Sequence, residues 1–234
     1  MPQTGKRHFQ DRLDGLQARL LEMAGETEEL LRSALGALKA RAVERAERTI
    51  AGDELVDSLE VGIDEAALEI LALEQPMAVD LRRILATLKI SNDLERVGDH
   101  AVKIAVATRK LAGLPTVPHF PQIDEMLEIV PEMLDRSLQS FTTEDPDLAR
   151  RVRQQDDTVD DLRAASHRVL ISHMLENPRL ISPALELIHV SQSLERVADL
   201  ATNIAEEAVF LVEGQVIRHQ PENRVPGTRA SHSS

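Results

Sequence analysis

One segment of this chain occurs twice. Between positions 90 and 105, Ser91, Leu94, Glu95, Arg96, Val97, Asp99, Ala101, Ile104 and Ala105 are matched by Ser191, Leu194, Glu195, Arg196, Val197, Asp199, Ala201, Ile204 and Ala205. Nine of sixteen positions are identical at a constant offset of 100, too many to arise by chance. The stretch before it repeats as well, with Asp53, Val56 and Asp57 answered by Asp156, Val159 and Asp160. So do the breakpoints, Gln75-Pro76 and Asn177-Pro178. A fold for this chain must therefore be two copies of one unit.

The unit is helical. Only 2% of the 234 residues are aromatic, with four Phe and no Tyr or Trp, which leaves an all-β fold without its usual packing residues. Ala, Leu, Glu and Arg abound instead. Prolines divide the chain into six periodic segments, near 9–39, 43–74, 77–111, 123–141, 147–176 and 180–219. Asp145-Pro146 has the cap-then-proline form of a helix start, and Pro131 and Pro183 are placed where a first turn absorbs them. The expected architecture is all-α: two tandem three-helix bundles related by the internal repeat. The first covers 1–112, a Pro-rich linker 113–122, and the second 123–219, with a polar, disordered tail over 220–234.

Charge narrows the function. A net charge of −13, from 40 acids against 27 bases, repels nucleic acid and anionic lipid. Without Cys there is no disulfide, thiolate nucleophile or Cys-ligated metal. No Gly-rich phosphate loop, HExxH or GxSxG occurs, so the chain is not expected to bind phosphate or ATP itself. The N-terminal residues lack the apolar core of a secretory signal, and no apolar run approaches the ~20 residues of a membrane span. A cytoplasmic protein is expected.

The acids are patterned. On a helical wheel Ile90, Leu94, Val97, Ala101 and Ile104 form a core seam, while Glu95 and Asp99 share another face. Glu195 and Asp199 sit likewise beside Val190, Leu194, Val197, Ala201 and Ile204. In the second segment Val56, Leu59, Ile63, Ala66, Ile70 and Leu73 form a seam, and Asp53, Asp57, Glu60 and Asp64 an acidic stripe. The fifth segment's stripe is Asp156, Asp160, Arg163 and His167. Like charges at i,i+4 cost a lone helix ~0.2–0.5 kcal/mol per pair. Two readings follow. Either each pair is a solvated face, or pairs on neighbouring antiparallel helices share a groove and are relieved by a hard or borderline cation such as Mg, Ca, Mn or iron.

These residues resemble a known family. Gln75, Pro76, Asp80, Leu81 and Arg82, leading into Leu94, Glu95, Arg96, Val97, Gly98, Asp99 and His100, are similar to the PhoU proteins of bacterial phosphate signalling. So are Leu194, Glu195, Arg196, Val197, Ala198 and Asp199 with Asn203, Glu206 and Glu207. The resemblance implies a homodimeric, non-enzymatic adaptor that links the ATPase subunit of a phosphate ABC transporter to a sensor histidine kinase. It implies repression of the phosphate regulon when phosphate is plentiful. It also implies multinuclear iron or zinc held by Asp53, Asp57, Glu95 and Asp99 in the first half, and by Asp156, Asp160, Glu195 and Asp199 in the second. Three positions depart from the family pattern: Leu200 opposite His100, Lys103 opposite Asn203, and Val106 opposite Glu206. The two sites are therefore expected to differ in affinity.

The alternative is a metal-dependent enzyme or metal-storage protein using the same grooves. A ferritin-like Glu-x-x-His is missing from the acidic stripes, since Gly98 and Ala198 stand at i+3. The one such pair, Glu186 with His189, falls on the side of its helix away from Glu195. His167, His173 and His189 read as ordinary helix-surface residues, and Met23, Met126, Met133 and Met174 as core filler. Arg82, Arg83, Arg96 and Arg196 either recognise a partner or screen neighbouring acids.

Overall fold

The computed structural model describes residues 3–214, with side chains from residue 8 onward. Six long helices fill it: α1 (Gln3–Ala40), α2 (Val43–Glu74), α3 (Ala78–Ala112), α4 (Pro121–Thr142), α5 (Pro146–Glu176) and α6 (Ile181–Glu213). A single 3-10 turn, Pro178–Leu180, precedes α6, and no strand occurs among the described residues. Helix ends follow local chemistry. Gln75 adopts a left-handed φ of 47° before Pro76, and Asp145 accepts from the backbone N–H groups of Asp147 and Leu148 at 2.9 and 3.0 Å. Gly214, at φ 67°, caps α6 at Glu213, short of the expected 219. The expected tail lies outside the described residues.

Helices α1, α2 and α3 pack together, as do α4, α5 and α6, and α3 packs along α6 to join the halves. The two central helices are antiparallel. Lys110 near the end of α3 reaches Glu186 near the start of α6, and Lys89 near the start of α3 reaches Glu207 near the end of α6, both at 3.1 Å. Both seams expected on these helices are fully buried, from Ile90 to Ile104 and from Val190 to Ile204. One hydrophobic cluster runs through both halves. Met23, Met126 and Met133 are buried in it and Met174 packs against it.

Two details correct the sequence reading. Pro131 lies in the middle of α4, not in a first turn. A mid-helix proline costs about 3 kcal/mol. Burial of Ile123, Met126, Leu127, Val130, Met133, Leu134, Leu138 and Phe141 on one face, at about 1.5–3 kcal/mol each, outweighs it. The α2 seam stops at Ile70. Leu73 is 62% exposed, one turn before the Gln75-Pro76 reversal, and Ala67 is buried instead.

Candidate metal centres

The antiparallel turn at Gln75-Pro76 sets α2 beside α3, and the one at Asn177-Pro178 sets α5 beside α6. Each acidic pair therefore meets the pair on the neighbouring helix. In the first half, burial raises the Asp53 carboxyl, and the charges of Asp57 and Asp99 raise it further while Lys103 opposes them. Burial also raises Glu95, with Asp99, Glu60, Asp57 and Asp53 adding to it in that order. In the second half, burial together with Asp199, Asp160, Asp157 and Glu195 pushes Asp156 up to about 6. Glu195 is raised by burial and Asp199, against the pull of Arg196 and Arg163. All eight expected acids thus fall into two sets of four, each set drawn from two helices. Glu60 joins the first set; its place in the acidic stripe was the signal for it.

Local packing shapes the first set. A Cβ at Gly98 would stand 2.8 Å from Asp53 Oδ1, so the missing side chain at this position lets the aspartate lie against α3. That oxygen is buried and accepts no hydrogen bond. An orphaned carboxylate oxygen, among acids that already repel one another, is the donor chemistry that a hard cation completes. The residues fit a metal by that test. Their spacing is nevertheless open: among the described residues no three His, Asp or Glu side chains stand close enough to hold an ion.

Cations intrude on both sets. Lys103 Nζ lies 3.4 Å from Asp99. Arg196 reaches Asp199 at 2.9 Å and Glu195 at 3.4 Å, while Arg163 stands 3.8 Å from Glu195. Arg96 lies 3.6 Å from Asp93, and Arg83 donates to Glu144 at 2.7 Å. Screening of neighbouring acids is therefore what Arg83, Arg96 and Arg196 do within the chain. The Nε of Arg82 is buried without a hydrogen-bond acceptor. Among the histidines, His167 is paired with Ser191 Oγ at 2.9 Å, and His173 sets its ring edge-on to Phe120 at 5.6 Å. His100 is half-buried, and burial, with Lys103 next, pushes it down to about 4 against the pull of Asp99.

Glu186 and Glu195 both line one cavity, from opposite flanks of α6 as helical spacing places them: Glu195 stands toward Arg163 of α5, and Glu186, only 15% exposed, accepts from Lys110 of α3.

The two halves also coincide with two matches to the PhoU domain, over residues 20–108 and 123–208. A curated relative from Aquifex aeolicus, named "Phosphate-specific transport system accessory protein PhoU homolog", is 41% identical over 89% of this chain and 94% of its own length. One of the same name from Xylella fastidiosa is 34% identical over 88% and 87%. The crystal structure of PhoU from Pseudomonas aeruginosa superposes with a TM-score of 0.86 at 36% identity, covering 88% of this chain and all of that one. The structure of the phosphate transport system regulatory protein PhoU from Streptococcus pneumoniae gives 0.82 at 27% identity, covering 89% and 98%. This two-bundle all-helical chain belongs to the PhoU family of phosphate transport accessory proteins. No described helix is long and apolar enough to cross a membrane.

Proposed function

We propose that the chain is a non-enzymatic adaptor of phosphate signalling. It docks, as a homodimer on the cytoplasmic side, on the ATPase subunit of a phosphate ABC transporter and on a sensor histidine kinase, and represses the phosphate regulon when phosphate is plentiful. The observation that carries this reading is the match, over nearly nine-tenths of the chain, to relatives named as accessory proteins of phosphate-specific transport. Its surface supports docking. Met77 and Val79 beside the α2–α3 turn, and Leu175 and Ile181 beside the α5–α6 turn, are large apolar residues left exposed at opposite ends of the molecule.

Within this reading Asp53, Asp57, Glu95 and Asp99 hold one metal centre, and Asp156, Asp160, Glu195 and Asp199 another. The support is the mutual charge coupling of the carboxylates on the two helices of each half and the orphaned oxygen of Asp53. Oxygen donors suit iron, Mn, Mg or Ca, and zinc through its tolerance of carboxylates. The metal supplies positive charge that relieves the repulsion and so holds α2 to α3 and α5 to α6. Lys103 weakens the first centre, and Arg163 and Arg196 the second. Affinity capture of the tagged chain from membrane extracts of phosphate-replete cells tests the adaptor. Mass spectrometry is expected to identify the transporter ATPase and a histidine kinase; recovery of neither contradicts the reading.

A further inference from the structure

Between the last turns of α3 and the first turns of α6 lies a cavity of about 630 Å³, within the range of small-molecule sites. Its charge runs against that of the chain. Lys103, Lys110, Arg163 and Arg196 line it, against two carboxylates, Glu186 and Glu195. Val102, Val106 and Ala107 add an apolar stretch of wall.

The internal repeat supplies a control for this cavity. Lys103, Lys110 and Arg163 correspond to Asn203, Phe210 and Glu60, so three of the four cations have no cationic twin. The side chains of the mirror place pair with groups of the chain itself. Phe210 lies under Lys89 at 5.2 Å, Glu207 is buried and accepts from Lys89, and Glu206 meets Arg153 at 3.3 Å. One copy of the repeat carries an aromatic ring and paired acids at this place, and the other lines its cavity with cationic donors.

Some of those donors are already engaged. Lys103 faces Asp99, Lys110 faces Glu186 and Arg196 faces Asp199. Arg163 differs, since Glu195 and Asp160 approach it only to 3.8 and 4.0 Å, and its buried Nε has no hydrogen-bond acceptor. The Nδ1 of His100, on the same wall, is likewise buried without a partner. Two guanidinium and two ammonium groups suit a dianion with several terminal oxygens better than a single carboxylate. We propose that this cavity binds a small phosphate-bearing anion, its phosphate among Arg163, Arg196 and Lys103 and its body against Val102, Val106 and Ala107. The site requires no metal, shares Glu195 with the second acidic set, and is distinct from the protein-docking reading because its ligand is a small molecule.

Calorimetric titration of the chelator-treated full chain with AMP, inorganic phosphate and adenosine tests it. AMP is expected to bind and adenosine is not. Inorganic phosphate binding more tightly than AMP also supports the site and makes the free ion its occupant. Arg163→Glu and Lys103→Asn, which install the residues of the mirror place, are each expected to weaken binding about tenfold or more. Circular dichroism of both variants checks that they fold. Failure of both AMP and phosphate to bind, adenosine binding as tightly as AMP, or unchanged affinity in the two folded variants overturns the proposal.

Discussion

Asp156 and Gly98 carry the sharpest consequences at the scale of single residues. Burial and four neighbouring acids push Asp156 up to about 6, against roughly 3.9 in an unfolded chain. The folded state therefore holds this proton more tightly. The stability gained by protonation is complete below about pH 4 and is lost as pH rises through about 6. Metal-free protein is expected to melt at a lower temperature at pH 7.5 than at pH 5. Asp156→Asn removes part of that difference and melts above the wild type at pH 7.5, as followed by circular dichroism. Gly98→Ala separates stability from binding. Alanine gains roughly 0.5–1 kcal/mol in a helix interior, and its Cβ displaces only the tip of Asp53, which is buried without a partner. The variant is expected to be more stable without metal, by denaturant titration, yet to bind cations more weakly at the first centre. Lower stability with undiminished cation binding contradicts this.

Helix identity was the most legible property of the chain at the scale of elements. Seams such as Ile90 to Ile104 reach full burial because a 3.6-residue period with no aromatic competitor has one solution. Breaks at Gln75-Pro76 and Asn177-Pro178 fell where read because proline disfavours a helical residue before it. Pro131 was misread for a physical reason: its local cost is small beside the apolar face of α4, which lies on both sides of it. Pro131→Ala restores a backbone donor and is expected to stabilise the fold by about 1 kcal/mol or more in urea titration. A loss of stability would mean that α4 is shaped around the proline.

What joins the halves was illegible at the scale of the whole molecule, because α3 and α6 meet through contacts a hundred residues apart. The acidic stripes could be read one helix at a time, and the reversals named their neighbours. No periodicity shows that Glu186 turns inward to Lys110, that Glu206 and Glu207 are buried, or that a cationic cavity opens beside the joint. A net charge of −13 concealed that cavity by averaging over it. Packing of α2 on α3 and of α5 on α6, not the stripes themselves, is what gathers the eight acids into two sets, against their mutual repulsion.

The most direct test is the metal content of chelator-treated protein reloaded with iron or zinc and dialysed, measured by plasma mass spectrometry. Wild-type chain is expected to retain metal, with Asp99→Ala losing the share of the first centre, Asp199→Ala that of the second, and the double variant nearly all of it. Equal metal in the wild type and all three variants would contradict the assignment of these carboxylates to metal centres.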